Sequence, residues 1–130
     1  MTAERCLILI AHGSRRGEAN REVAELTDRL RQRLTGRFDR VSHAFLELAE
    51  PDIPGALQGC LDEGARQIDI LPYFLAAGRH VAEDIPEAVR AKQADRPDVT
   101  FRILPYLGAT DGLLGLLADI PDRAGGGAVR

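Results

Sequence analysis

Cys6-Leu7-Ile8-Leu9-Ile10-Ala11, followed at once by His12-Gly13-Ser14-Arg15, is the stretch on which the reading of the fold turns. A short, unbroken apolar run of this kind suits a strand buried on both faces. Gly13 ends it, and the period of the pattern then changes. Val23, Leu26, Leu30 and Leu34 recur at three- and four-residue steps, which predicts a helix over about 17–34 with a single apolar stripe. Gly36 suits its C-terminal stop.

The same alternation continues outward. Val41, Ala44, Phe45 and Leu46 predict a second strand over Arg40 to Leu48. Glu50-Pro51-Asp52 reads as a turn, with Asp52 placed to cap a helix opening at Ile53-Pro54. Ile53, Leu57, Cys60 and Leu61 form that helix's inner stripe, and Gly64 closes it. Gln67 to Tyr73 predicts a third strand, stopped by Pro72, which cannot donate to a ladder. Phe74 to His80 is then a loop, and a helix follows over about 81–95 with Ile85, Val89 and Lys92 inward. Pro86 falls in its first turns, where proline is best tolerated.

Val99 to Leu104 is the fourth strand, ended by Pro105. Thr110 or Asp111 caps a last helix reaching about residue 118. Residues 1–120 read as a single domain, with no repeat and no internal linker. Residues 121–130, with Pro121 and three consecutive glycines, read as a flexible C-terminal tail. Strand and helix alternate four times. Right-handed crossovers then give an α/β fold of three layers, flavodoxin-like, with a central, mostly parallel four-stranded sheet and helices on both faces.

Composition narrows the function. The chain has 130 residues, 45% hydrophobic and 28% charged, an ordinary globular balance for one domain. With a net charge of -3, no overall positive field exists to attract nucleic acid or an anionic membrane. Arg15, Arg16 and Arg79 can still form a local cationic patch. Cys6 and Cys60 lie on apolar faces without metal-finger spacing, which predicts two buried reduced thiols and fits a cytoplasmic protein. Cys6–Ala11, the longest apolar run, is too short for a membrane span or a signal segment.

In open α/β sheets ligands bind beyond the carboxyl ends of the strands. His12 follows the first strand, Glu47 and Glu50 the second, and Phe74 to His80 the third. Neutral imidazole is a good ligand for cobalt, iron, nickel or zinc. Two histidines with a carboxylate leave positions open on the ion. Gly13 and Gly78 are expected to let the backbone turn beside each ligand. Each residue also has a plainer reading. A lone loop histidine is more often structural, and Glu47 can be a solvated carboxylate. Ser14 can cap the following helix, since no G-x-S-x-G turn surrounds it. His43, mid-strand, reads as a buried or edge histidine. No P-loop is present.

These segments resemble the CbiX/SirB family of sirohydrochlorin chelatases. The likeness runs over about residues 6–108. It rests on His12-Gly13-Ser14-Arg15, on Phe45-Leu46-Glu47 with Pro51, and most specifically on Leu71-Pro72-Tyr73-Phe74-Leu75, Gly78-Arg79-His80 and Asp84-Ile85-Pro86. The resemblance implies that His12 and His80 ligate an incoming metal and that Glu47 assists. It implies insertion of cobalt, ferrous iron or nickel into sirohydrochlorin or a close precursor, on routes to cobalamin, siroheme or related tetrapyrroles. The metal is then substrate, with no tightly bound cofactor and no ATP. Long family members carry two such domains. Short ones are of this size and work as homodimers, so a homodimer is implied.

On that reading His12, His80 or Glu47 accepts a ring proton. Arg15, Arg16 and Arg79 pair with the tetrapyrrole carboxylates. Ser14 and Gly78 line the substrate, and Phe74, Leu75 and Leu107 offer the ring an apolar wall, unless these residues serve surface solvation or core packing. The alternatives are a non-catalytic carrier of metal or tetrapyrrole with the same fold, and a flavodoxin-like regulatory module that binds no metal.

Overall fold

In the computed structural model, which describes residues 3–123 together with 127 and 128, the strand β1 (Arg5–Ala11) organises everything else. Cys6 to Ala11 are all buried. Beside β1 lie β2 (Arg40–Phe45) and β3 (Gln67–Pro72), with β4 (Thr100–Ile103) outside β3, in the order β2-β1-β3-β4. Every pairing is parallel. The helices are α1 (Gly17–Arg33), α2 (Ile53–Asp62), α3 (Ile85–Asp95) and α4 (Gly112–Asp119).

Alternate side chains of β1 serve two cores, as the period of a strand requires. Cys6, Ile8 and Ile10 join Ile68 and Ile70 against Ile53, Leu57 and Cys60 of α2 and Ile85 and Val89 of α3. Leu7 and Val41 meet Leu34 on the opposite face, with Leu30, Phe38, Leu71 and Leu104 packed around them. Helices thus cover both faces, as expected. Asp52 caps α2, its Oδ1 accepting the Gly55 N–H at 2.8 Å. Cys6 and Cys60 are free and buried.

Several boundaries differ from the expectation. β2 ends at Phe45, not Leu48. Leu46 prolongs the apolar pattern because it packs on the core from a loop. The regular helix after β3 starts at Ile85, preceded by a π turn over His80–Asp84. β3 stops at Pro72, and β4 lacks the expected Val99 and Leu104, although the Leu104 N–H still donates to the Ile70 carbonyl. Lys92 is half-buried, with its ammonium on Gln58 Oε1 at 2.9 Å rather than inward. Neither Thr110 nor Asp111 caps α4 through its side chain; the Thr110 hydroxyl donates to the Leu107 carbonyl instead.

α4 packs chiefly against the short turns on either side of it, and leaves Leu114, Leu116, Leu117 and Ile120 exposed. Ile120–Asp122 form a 3-10 turn, so the expected tail starts with structure at Pro121. Residues 124–126 and 129–130 lie outside the described residues. One buried charge escaped the sequence pattern. The Asp69 carboxylate, 1% exposed on β3, accepts two hydrogen bonds at 2.9 Å from the Arg102 guanidinium on β4.

Candidate metal site

β1 is flanked by β2 and β3, so the loops leaving these three strands share one end of the sheet. The loop after β1 is locked to the loop after β2. Leu46 N–H donates to the Ala11 carbonyl at 3.0 Å, and Glu47 N–H to the His12 carbonyl at 3.2 Å. Gly13 makes this approach possible. Its φ is +96°, a left-handed value, and a Cβ there would overlap the Glu47 carbonyl oxygen. Leu48 also takes a positive φ, +66°, costly for a branched side chain. Asn20 fastens the start of the loop to α1 by accepting the Ser14 N–H and donating to the Ser14 carbonyl.

The loop after β3 is held in the same manner. Gly108 N–H donates to the Phe74 carbonyl at 3.0 Å, and the Leu75 carbonyl oxygen occupies the space a Cβ on Gly108 would need. This loop ends in the π turn that carries His80. π turns are rare and often mark functional positions.

The two histidines meet. The ring centroids of His12 and His80 are 5.0 Å apart with the planes 63° to one another. For two imidazoles sharing one ion through Nε2 at ordinary metal–nitrogen distances, centroids fall about 4.5–5.2 Å apart. His12 Nε2 lies 3.5 Å from Glu47 Oε1. Two donors about 2.1 Å from a single ion at a tetrahedral angle stand about 3.4 Å apart. His12 Nδ1 is 2.9 Å from the Gly13 carbonyl oxygen, which only accepts, so the neutral ring making this bond carries its proton on Nδ1 and leaves Nε2 free. His80 Nδ1 is 2.7 Å from Asp84 Oδ2.

His12 is the shared neighbour of His80 and Glu47. Among the described residues no three His, Cys, Asp or Glu side chains already stand in a closed metal-holding group. Two imidazoles and one half-exposed carboxylate are a donor set that would leave coordination positions open on an ion. Beside them Leu46, Glu47, Asp52, Ile53, His80 and Asp84 line a cleft of about 310 Å³.

The other expected residues divide. Arg15, Arg16 and Arg79 are exposed around this end of the sheet, and Arg79 lies 3.5 Å from Glu83. Leu75 is 70% exposed; Phe74 is half-buried and packs on the core, so its ring is shared between core and surface. Tyr73, Phe74, Leu75 and Leu107 line a small apolar hollow. The Ser14 hydroxyl accepts the Arg16 N–H at 3.0 Å, a local turn rather than a cap of α1, whose N-cap is Arg16. Gly78 does not take a left-handed conformation and has open space where a side chain would go, so the reason expected for it fails. His43 stacks edge-on against Phe45 on the edge strand β2, the structural role expected of it. Asp84, the partner of His80, was absent from the expected site. Its signal was the four-residue step from His80, masked by reading 81–95 as one ordinary helix.

Residues 6–123 match the family model CbiX. The chain is 34% identical over 113 residues to a chloroplastic sirohydrochlorin ferrochelatase of Arabidopsis thaliana, covering 87% of this chain and 49% of the relative. It is 33% identical over 89 residues to a sirohydrochlorin cobaltochelatase of Methanococcus maripaludis, covering 68% of this chain and 60% of the relative. It thus spans about half to three-fifths of the length of these curated relatives. A crystal structure of a CbiX protein from Marinobacter aquaeolei VT8 superposes with a TM-score of 0.75 at 27% identity, over 91% of this chain and 94% of that one. SirB from Bacillus subtilis subspecies spizizenii in complex with cobalt shares the fold, with a TM-score of 0.78 at 24% identity over 93% of this chain and 51% of that one.

Proposed function

The chain belongs to the CbiX family, and from that premise we propose that it is a chelatase inserting a divalent metal, cobalt or ferrous iron, into sirohydrochlorin or a related tetrapyrrole. The carrying observation is the approach of His12 to both His80 and Glu47 at the carboxyl end of the sheet. Relatives named as cobaltochelatases and ferrochelatases support the same reaction. The routes it would serve are those to cobalamin or siroheme.

Insertion exchanges one dication for two pyrrole N–H protons. His12 and His80 replace water on the incoming ion without adding charge, so the ion is held but not trapped. Glu47 stands beside His12 Nε2, where it completes the ligand set or accepts a ring proton as the metal moves inward. Arg15, Arg16 and Arg79 are exposed around the opening and suited to the carboxylates of the macrocycle. Ser14 and Gly78 belong to the loops that carry His12 and His80, and Phe74, Leu75 and Leu107 offer the ring a separate apolar hollow.

A cleft of about 310 Å³ is at the small end of ligand pockets, so a flat macrocycle needs more surface than one such cleft offers. A second copy supplies that surface in the homodimer we propose, and the uncovered leucines of α4 give two copies an apolar face for pairing. Buried free thiols suit the reducing cytoplasm as its location.

The test is a spectroscopic insertion assay with sirohydrochlorin and cobalt, ferrous iron or nickel. We expect acceleration by the wild type and its loss, at least about 100-fold, in His12→Ala and His80→Ala, with thermal melts unchanged. Cobalt binding without acceleration would identify a carrier instead. Full turnover by both variants would remove the mechanism.

A further inference from the structure

We infer that Asp84 is a positioning residue for His80: it holds the ring proton on Nδ1 and so presents the Nε2 lone pair to the metal. The inference rests on the metal-capture reading of His80. Its physical basis is the contact of His80 Nδ1 with Asp84 Oδ2 at 2.7 Å, at the short end of charge-assisted hydrogen bonds. An ionised carboxylate has no proton to give, so the hydrogen in this bond is the ring's. One nitrogen of a neutral imidazole is thereby fixed as donor, and the other is left to coordinate.

The backbone is shaped to hold this pair. Ile85 N–H donates to the His80 carbonyl five residues back, closing the π turn. Ile85 itself is fully buried in the main core, which anchors the residue next to Asp84. Asp84 also borders the cleft beside Glu47, yet its carboxylate is spent on the imidazole. His12 reaches the same result by another route, through the neutral Gly13 carbonyl. Both rings therefore leave Nε2 free to coordinate, but only His80 has a carboxylate behind it to orient the ring.

Two measurements test this. The first is long-range proton–nitrogen correlation NMR of the metal-free protein, which reads the His80 tautomer. The neutral ring is expected as the Nδ1–H form in the wild type and in Asp84→Asn, whose amide oxygen still accepts. In Asp84→Ala the proton is expected to redistribute toward Nε2. The second is titration with Co(II), followed by its visible absorption. Asp84→Ala is expected to bind about 10- to 100-fold more weakly, with Asp84→Asn between it and the wild type.

An Nε2–H tautomer in the wild type would overturn the inference. So would Asp84→Ala that keeps both the tautomer and the cobalt affinity of the wild type. Should the wild type bind no cobalt, the proposed function fails, and the tautomer measurement still decides the role of Asp84 separately.

Discussion

His43 shows how little a residue's type says without its surroundings. It is half-buried on β2, with its ring 5.3 Å from that of Phe45. Burial lowers its pKa below the ordinary 6.5, opposed by Asp28 and assisted by Arg31. The unfolded chain then binds a proton at higher pH than the folded one does. The stability this neutral ring contributes is fully present above about pH 6.5 and is lost as pH falls through the lower folded value. Urea unfolding from pH 8 to pH 5 should show a falling midpoint, and His43→Gln should flatten that fall. His12 was legible because it follows β1 directly, and His80 because it closes the loop that leaves β3 at the same end of the sheet. Asp84 was not, because a loop ending at His80 and a helix beginning at Val81 put the two on different elements and hide their four-residue step.

Loops, at the scale of elements, are held largely by backbone approach, with Asn20 adding a side-chain tie to the loop after β1. Gly13→Ala must both abandon a left-handed φ and push away the Glu47 carbonyl. We expect it to cost about 1–3 kcal/mol and to weaken cobalt binding by displacing Glu47 from His12. Gly108→Ala should do the same to the loop carrying His80, through the Leu75 carbonyl. Gly78→Ala, with free space and an ordinary φ, should be neutral or stabilising by up to about 1 kcal/mol. Urea midpoints and cobalt titrations on the three variants check the contrast. The strands were legible because β1 and β3 carry apolar residues on both faces. The end of β2 was not, since Leu46 packs on the core from outside the ladder and mimics one more strand residue.

The whole molecule leaves one element without a place. α4 exposes Leu114, Leu116, Leu117 and Ile120, although the alternation of strands and helices led us to expect each helix against the sheet. A second copy covering this face, in the homodimer proposed above, would explain it. Leu114→Asp with Leu117→Asp is then expected to convert a dimer into a monomer in analytical ultracentrifugation without lowering the melting temperature of the domain. An unchanged dimer would place the pairing surface elsewhere. Partnership was implied only by the family resemblance, since periodicity identifies an apolar stripe but not whether the same chain covers it.

The sheet order carries a consequence for durability. β1 is bonded on both edges, and the loop that bears His12 departs from it, while β2 and β4 lie at the margins. Fraying begins at margins. Amide protons of Ile8, Leu9 and Ile10 should therefore be the last to exchange with heavy water.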